Sequence, residues 1–107
     1  MSLQLDESAN EREIELTIGQ TFEIALNENP TTGFHWQMIA DGAPACTPVD
    51  DEFRAPTESR PGQGGSHRWQ FRALRAGQSR IELAYSRSGR IDQTVSRTFT
   101  LRLHVAG

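Results

Sequence analysis

Several things are scarce in this chain, and each scarcity closes a class of function. It holds one cysteine in 107 residues, so it can form no internal disulfide and no thiolate cluster of the kind structural zinc requires. That cysteine, Cys46, sits in Gly42-Ala43-Pro44-Ala45-Cys46-Thr47-Pro48 with no histidine nearby. A thiol without a group that lowers its pKa is inert. Aromatic residues make up only 7%, and their spacing carries no nucleic-acid signature. No apolar run approaches the roughly 18–20 residues that cross a bilayer. The start, Met1-Ser2-Leu3-Gln4-Leu5-Asp6-Glu7, is not a basic segment followed by an apolar one, so neither a membrane span nor an uncleaved signal peptide is expected. The compartment stays open between the cytoplasm and a processed, exported form. With 36% hydrophobic residues, one domain over 1–107 with a small core at about 12–105 is expected, stabilised by packing and backbone pairing.

The net charge is only −3, but it is unevenly spread. Residues 1–58 carry twelve acids against Arg12 and Arg54, whereas residues 59–107 carry nine arginines against Glu82 and Asp92. A basic half could mark a polyanion site. A fold that interleaves strands from the two halves would instead turn the asymmetry into acid–base pairs between neighbours. The second reading is the expected one, and nucleic acid is not an expected partner.

What the chain does have is alternation with a period of two. Ile14, Leu16 and Ile18 alternate with polar residues, Gly19-Gln20 turns the chain, and Phe22, Ile24 and Leu26 alternate again. This pattern predicts a β-hairpin. Phe34, Trp36 and Met38 predict a third strand; Trp69, Phe71 and Ala73 a later one; Ile81, Leu83 and Tyr85 another after Ala76-Gly77-Gln78. Phe99, Leu101, Leu103 and Val105 form the last. Pro44, Pro48 and Pro56 exclude a central strand between them, leaving a short edge strand near Val49 to Phe53. Half-apolar strands must lay their faces on one another. The predicted fold is therefore all-β, an immunoglobulin-like antiparallel β-sandwich of about seven strands, with Trp36, Trp69 and Phe71 in its core.

In an antiparallel succession every second connection emerges at the same end. The connections 27–33, around 62–65 and around 87–93 then share one rim, and the tight turns share the other. Elaborate loops grouped on a rigid sandwich are where binding is usually built. The first reads Asn29-Pro30-Thr31-Thr32-Gly33. Proline fixes φ, glycine permits a positive φ, and the polar side chains can bond their own backbone, so this loop should be stiff when free. The second, Pro61-Gly62-Gln63-Gly64-Gly65, is followed by a strand and lacks the Lys and Ser or Thr of a phosphate-binding loop.

Asn29-Pro30-Thr31-Thr32-Gly33-Phe34 with Trp36, then Gly62-Gln63-Gly64-Gly65, then Tyr85 and Phe99, resemble the chagasin family of papain-type cysteine protease inhibitors over roughly residues 12 to 105. The resemblance implies a reversible, non-covalent inhibitor whose three rim loops enter the protease cleft as a wedge, acting as a monomer without cofactor or metal. Asn29, Pro30, Thr31, Thr32 and Gly33 would lie over the catalytic cysteine, with Thr31 and Thr32 nearest it. Gly62, Gln63, Gly64 and Gly65 would pair with backbone on the substrate side. The third loop would brace the other flank through Arg87, Ser88, Gly89 and Arg90. That family's third loop usually begins Arg-Pro-Trp, and here the run Arg87-Ser88-Gly89-Arg90 keeps only the arginine. A tryptophan anchor is typically worth at least about 2 kcal/mol, which predicts an affinity roughly thirtyfold poorer or worse.

Two other functions can be weighed against this one. His35, His67 and His104, with acids such as Asp92, could assemble a general base or metal site. However, no two share a strand at the i, i+2 spacing that aims imidazoles at one metal. His35 and His104 should face solvent, while His67 falls on the inward parity of its strand. No catalytic or metal-ligating residue is expected. The second alternative is an immunoglobulin-like binding module for another protein partner, which the missing Pro-Trp favours.

Overall fold

The computed structural model describes residues 3–28, 33–54, 65–87 and 95–107. Alternation becomes strand everywhere it was read except at Ile18: β1 (Leu3–Leu5), β2 (Arg12–Thr17), β3 (Thr21–Glu28), β4 (Phe34–Asp41), β5 (Cys46–Arg54), β6 (Gly65–Ala73), β7 (Gly77–Arg87) and β8 (Val95–Ala106). They form two four-stranded sheets, ordered β1-β3-β6-β5 and β2-β8-β7-β4. Successive side chains on a strand point to opposite faces, so each sheet turns one apolar face inward. Phe22, Ile24, Leu26, Trp69, Phe71 and Ala73 come from the first sheet. Ile81, Leu83, Tyr85, Leu101, Leu103 and Val105 come from the second. Each large apolar side chain so buried contributes about 1.5–3 kcal/mol. The result is the expected immunoglobulin-like sandwich, with Trp36, Trp69 and Phe71 in its core.

Four expectations need correction. Gly19-Gln20 does not close a hairpin, because β2 and β3 lie in different sheets. Gly19 N–H donates to the Ala73 carbonyl and Ala73 N–H to that of Gln20, so the chain beyond the turn pairs with β6. Crossing between sheets keeps both apolar faces inward just as a hairpin would, so alternation cannot separate the two. Ile18 falls on the turn and is exposed. The sandwich is also not wholly antiparallel, since β2 pairs parallel with β8 and β1 parallel with β3, both at sheet edges.

The edge strand is longer than expected, running Cys46–Arg54 with a bulge between Pro48 and Asp50. An edge position and a bulge are both places where a sheet tolerates proline. Finally, structure begins before residue 12. Glu7–Ala9 form a turn of 3-10 helix capped by Asp6, which accepts from the Ser8 N–H at 2.9 Å and the Ser8 hydroxyl at 2.6 Å. Ala9 is buried and Leu5 packs on the core.

The charge asymmetry resolves by interleaving. The acid-rich strands β2 and β3 lie beside the arginine-bearing β8 and β6. Arg68 on β6 meets Glu23 on β3 at 2.8 Å, a partly exposed pair worth about 0–1 kcal/mol.

Cys46 is buried, and desolvation pushes its thiol up to about 11. Because the thiolate is the nucleophile, native protein at pH 8 should react with iodoacetamide roughly a hundredfold more slowly than urea-unfolded protein. Mass spectrometry of timed samples checks this, and equal rates would contradict the burial.

Candidate functional site

The ladders end together at one rim. Glu28 faces Gly65, Arg54 faces Ser66, Phe34 faces Arg87 and Ser86 faces Val95. The segments 29–32, 55–64 and 88–94, which carry the three loops, therefore all leave from the same end of the sandwich. The opposite end is drawn tight by Leu74 N–H on the Ala45 carbonyl and by the Gly19 and Ala73 bonds.

The base of the first loop is tied across the two sheets. β4 is the edge of its sheet, so the N–H of Trp36 needs a partner other than a strand. It donates to Glu28 Oε1 at 2.8 Å, and the Trp36 indole Nε1–H donates to the Asn27 carbonyl at 2.9 Å. Gly33 enters β4 with φ +82°, a left-handed conformation in which a Cβ is strained. This is the conformational role expected of the glycine that closes Asn-Pro-Thr-Thr-Gly.

At the base of the second loop, Gly65 lies so close to β5 that a Cβ there would stand 2.2 Å from the Arg54 carbonyl oxygen and 2.7 Å from the Phe53 ring. Beside it His67 stacks flat on Trp69, ring centroids 4.1 Å apart at 5°. His67 Nδ1 lies 3.2 Å from both carboxylate oxygens of Glu28, and its Nε2 contacts the carboxylate of Asp51 on β5. Where the third loop leaves, Phe34 and Trp36 pack on Tyr85 at 5.4 and 4.8 Å, and the exposed Arg97 sets its guanidinium 5.0 Å from the Tyr85 ring. Rings clustered in this way make a stiff platform.

Of the site residues expected from sequence, Gly33, Gly65 and Arg87 stand at the rim at the mouths of the three loops. Asn29, Pro30, Thr31, Thr32, Gly62, Gln63, Gly64, Ser88, Gly89 and Arg90 lie outside the described residues. His35 and His104 are exposed and His67 is half-buried, as their parities require. Sequence reasoning missed the ties beneath the loops, namely Glu28, Asp51 and Arg97. Glu28 did leave a signal, because it continues the inward series Phe22, Ile24, Leu26 as a carboxylate.

Known proteins resemble this chain in sequence and in fold. The chain is 28% identical to chagasin of Trypanosoma cruzi over 96% of its length and 97% of that protein's. It is 30% identical to amoebiasin-1 of Entamoeba histolytica over 96% of its own length and 99% of that protein's. The crystal structure of a cysteine protease inhibitor from Entamoeba histolytica superposes with a TM-score of 0.82 at 20% identity, covering 98% of this chain and 95% of that one. Residues 15–103 match the family described as chagasin family peptidase inhibitor I42. The protein belongs to the chagasin family of peptidase inhibitors.

Proposed function

We propose that this protein inhibits papain-type cysteine proteases reversibly and without covalent chemistry, by seating its three rim loops in the active-site cleft. The observation that carries the reading is the common exit of the three loops from one braced rim. In this arrangement Asn29 to Gly33 occupy the middle of the wedge over the protease nucleophile, Gly62 to Gly65 brace one side, and Arg87 to Arg90 the other. Inhibition then needs only occupancy. A loop held by its own base avoids an ordering cost of roughly 0.5–1.5 kcal/mol per immobilised side chain. Cys46 takes no part, being buried and paired with Ala73 at the opposite end, so no disulfide forms with the protease thiolate.

Titration of papain and a cathepsin-type protease tests this. Tight, reversible inhibition is expected, and Thr31→Glu with Thr32→Glu should weaken it about fiftyfold with the melting temperature unchanged, because charge without a partner is forced against the cleft. A folded protein that inhibits none of several such proteases would instead be a binding module for another partner. The lack of Pro-Trp after Arg87 is the feature that favours that second reading.

A further inference from the structure

Glu28 is 4% exposed, at the end of an apolar series. A carboxylate in such a place needs donors, and it has two, the Trp36 N–H and the ring of His67. The His67 side chain is 16% exposed, whereas Asp51 on its other edge is 63% exposed. Glu28 from β3 and Asp51 from β5 are the charged groups facing the ring among the described residues. Trp69 of its own strand covers one ring face, and β4 contributes the Trp36 N–H to the same Glu28 carboxylate.

The placement joins the bases of two loops. Glu28 is the last residue of β3 before the first loop, and its carboxylate reaches across to β4 where that loop returns. Asp51 lies on β5 as it runs into the second loop, and His67 lies on β6 as it leaves. A neutral imidazole carries one N–H and an imidazolium two, so only the protonated ring can donate to Glu28 and Asp51 together. A neutral ring with its proton on Nδ1 keeps the bond to buried Glu28 and releases the exposed Asp51. The tie that opens is then between β5 and β6, beside Gly65.

We propose that the chain Glu28–His67–Asp51 is a positioning device for the inhibitory rim: protonated His67 holds the bases of the first and second loops in binding geometry, so inhibition is tighter in acid than in neutral solution. The inference rests on the inhibitor reading above. Histidine as a residue type changes charge between about pH 5 and 8, which sets the two pH values of the test.

The test compares inhibition constants of wild type and His67→Gln against papain at pH 5 and pH 8, a ratio from which the protease's own pH dependence cancels. The expected advantage of wild type is about tenfold at pH 5, falling to about twofold at pH 8. Glu28→Gln, which keeps an acceptor for Trp36 but loses the charge, should flatten the pH profile while circular dichroism shows the fold intact. In the free protein, NMR should show the His67 ring and the Asp51 carboxyl responding to one shared titration. Strong inhibition with a pH-independent ratio, or independent titration of the two groups, overturns the proposal alone. Shared titration without inhibition of any papain-type protease overturns the inhibitor reading and this proposal with it.

Discussion

Trp36→Ala is expected to cost roughly 3–5 kcal/mol, the range for truncating a buried tryptophan. For a domain whose total stability is about 5–15 kcal/mol, that approaches unfolding. The side chain is 8% exposed, packs 4.8 Å from the Tyr85 ring, and donates through Nε1–H to the Asn27 carbonyl. Removing it opens a cavity, breaks the platform under the third loop, and frees the carbonyl that stiffens the first. Thermal melting should fall by roughly 12–20 °C, at about 4 °C per kcal/mol for a chain of this length. Loss of inhibition in that variant would follow from unfolding and say nothing about contact. Trp36→Phe separates the two roles. It keeps much of the packing while removing the Nε1–H and part of the ring, so stability should drop by about 1–2 kcal/mol and inhibition should weaken in a protein that is still folded. If Trp36→Ala cost less than about 1 kcal/mol in urea denaturation, the ring would not be packed as described.

Most of the core was legible in the sequence, because inward parity is a local property. Phe22, Ile24 and Leu26, or Leu101, Leu103 and Val105, need no partner strand to declare which face they belong to. Pairing is different. The segment from Leu16 to Phe22 reads identically whether the chain doubles back beside itself or crosses to the other sheet, and only the bonds of Gly19 and Gln20 to Ala73 decide it. The three-residue strand β1 lies below the length at which alternation can be recognised. Its parallel pairing with β3 has no local signature at all.

The site divides along the same line. Gly33 could be read as a left-handed residue from its place in the loop, and it is one. The common rim could be read by counting reversals. Glu28, His67 and Asp51 are distant in sequence, and what unites them is the register of β3, β6 and β5. A buried carboxylate on an apolar parity signals that some partner exists. Its identity becomes visible only when Leu26 is found opposite His67 and Asp51 opposite Trp69.

Gly65 was expected to serve the protease through its backbone, and the structure adds a reason internal to the fold. A Cβ at this position would sit 2.2 Å from the Arg54 carbonyl oxygen and 2.7 Å from Phe53 Cζ. The ring can swing aside, but the carbonyl belongs to the last described pair of the β5–β6 ladder, Arg54 opposite Ser66, and cannot move without opening it. Gly65→Val is therefore expected to lower stability by about 3 kcal/mol, the upper end of the usual cost of overpacking, because the overlap is with backbone and the branched side chain adds atoms beyond Cβ. The strand separation it forces lies at the mouth of the second loop, two residues from His67. Inhibition should accordingly weaken more than the folded fraction explains. Gly33→Val provides the contrast. Its strain is a left-handed φ in one residue, costing about 1–2 kcal/mol. Urea denaturation of the two variants, with inhibition measured where both remain folded, should rank Gly65→Val as the more damaging on both counts. Equal stability of Gly65→Val and wild type would mean that β5 and β6 do not approach at this point as described.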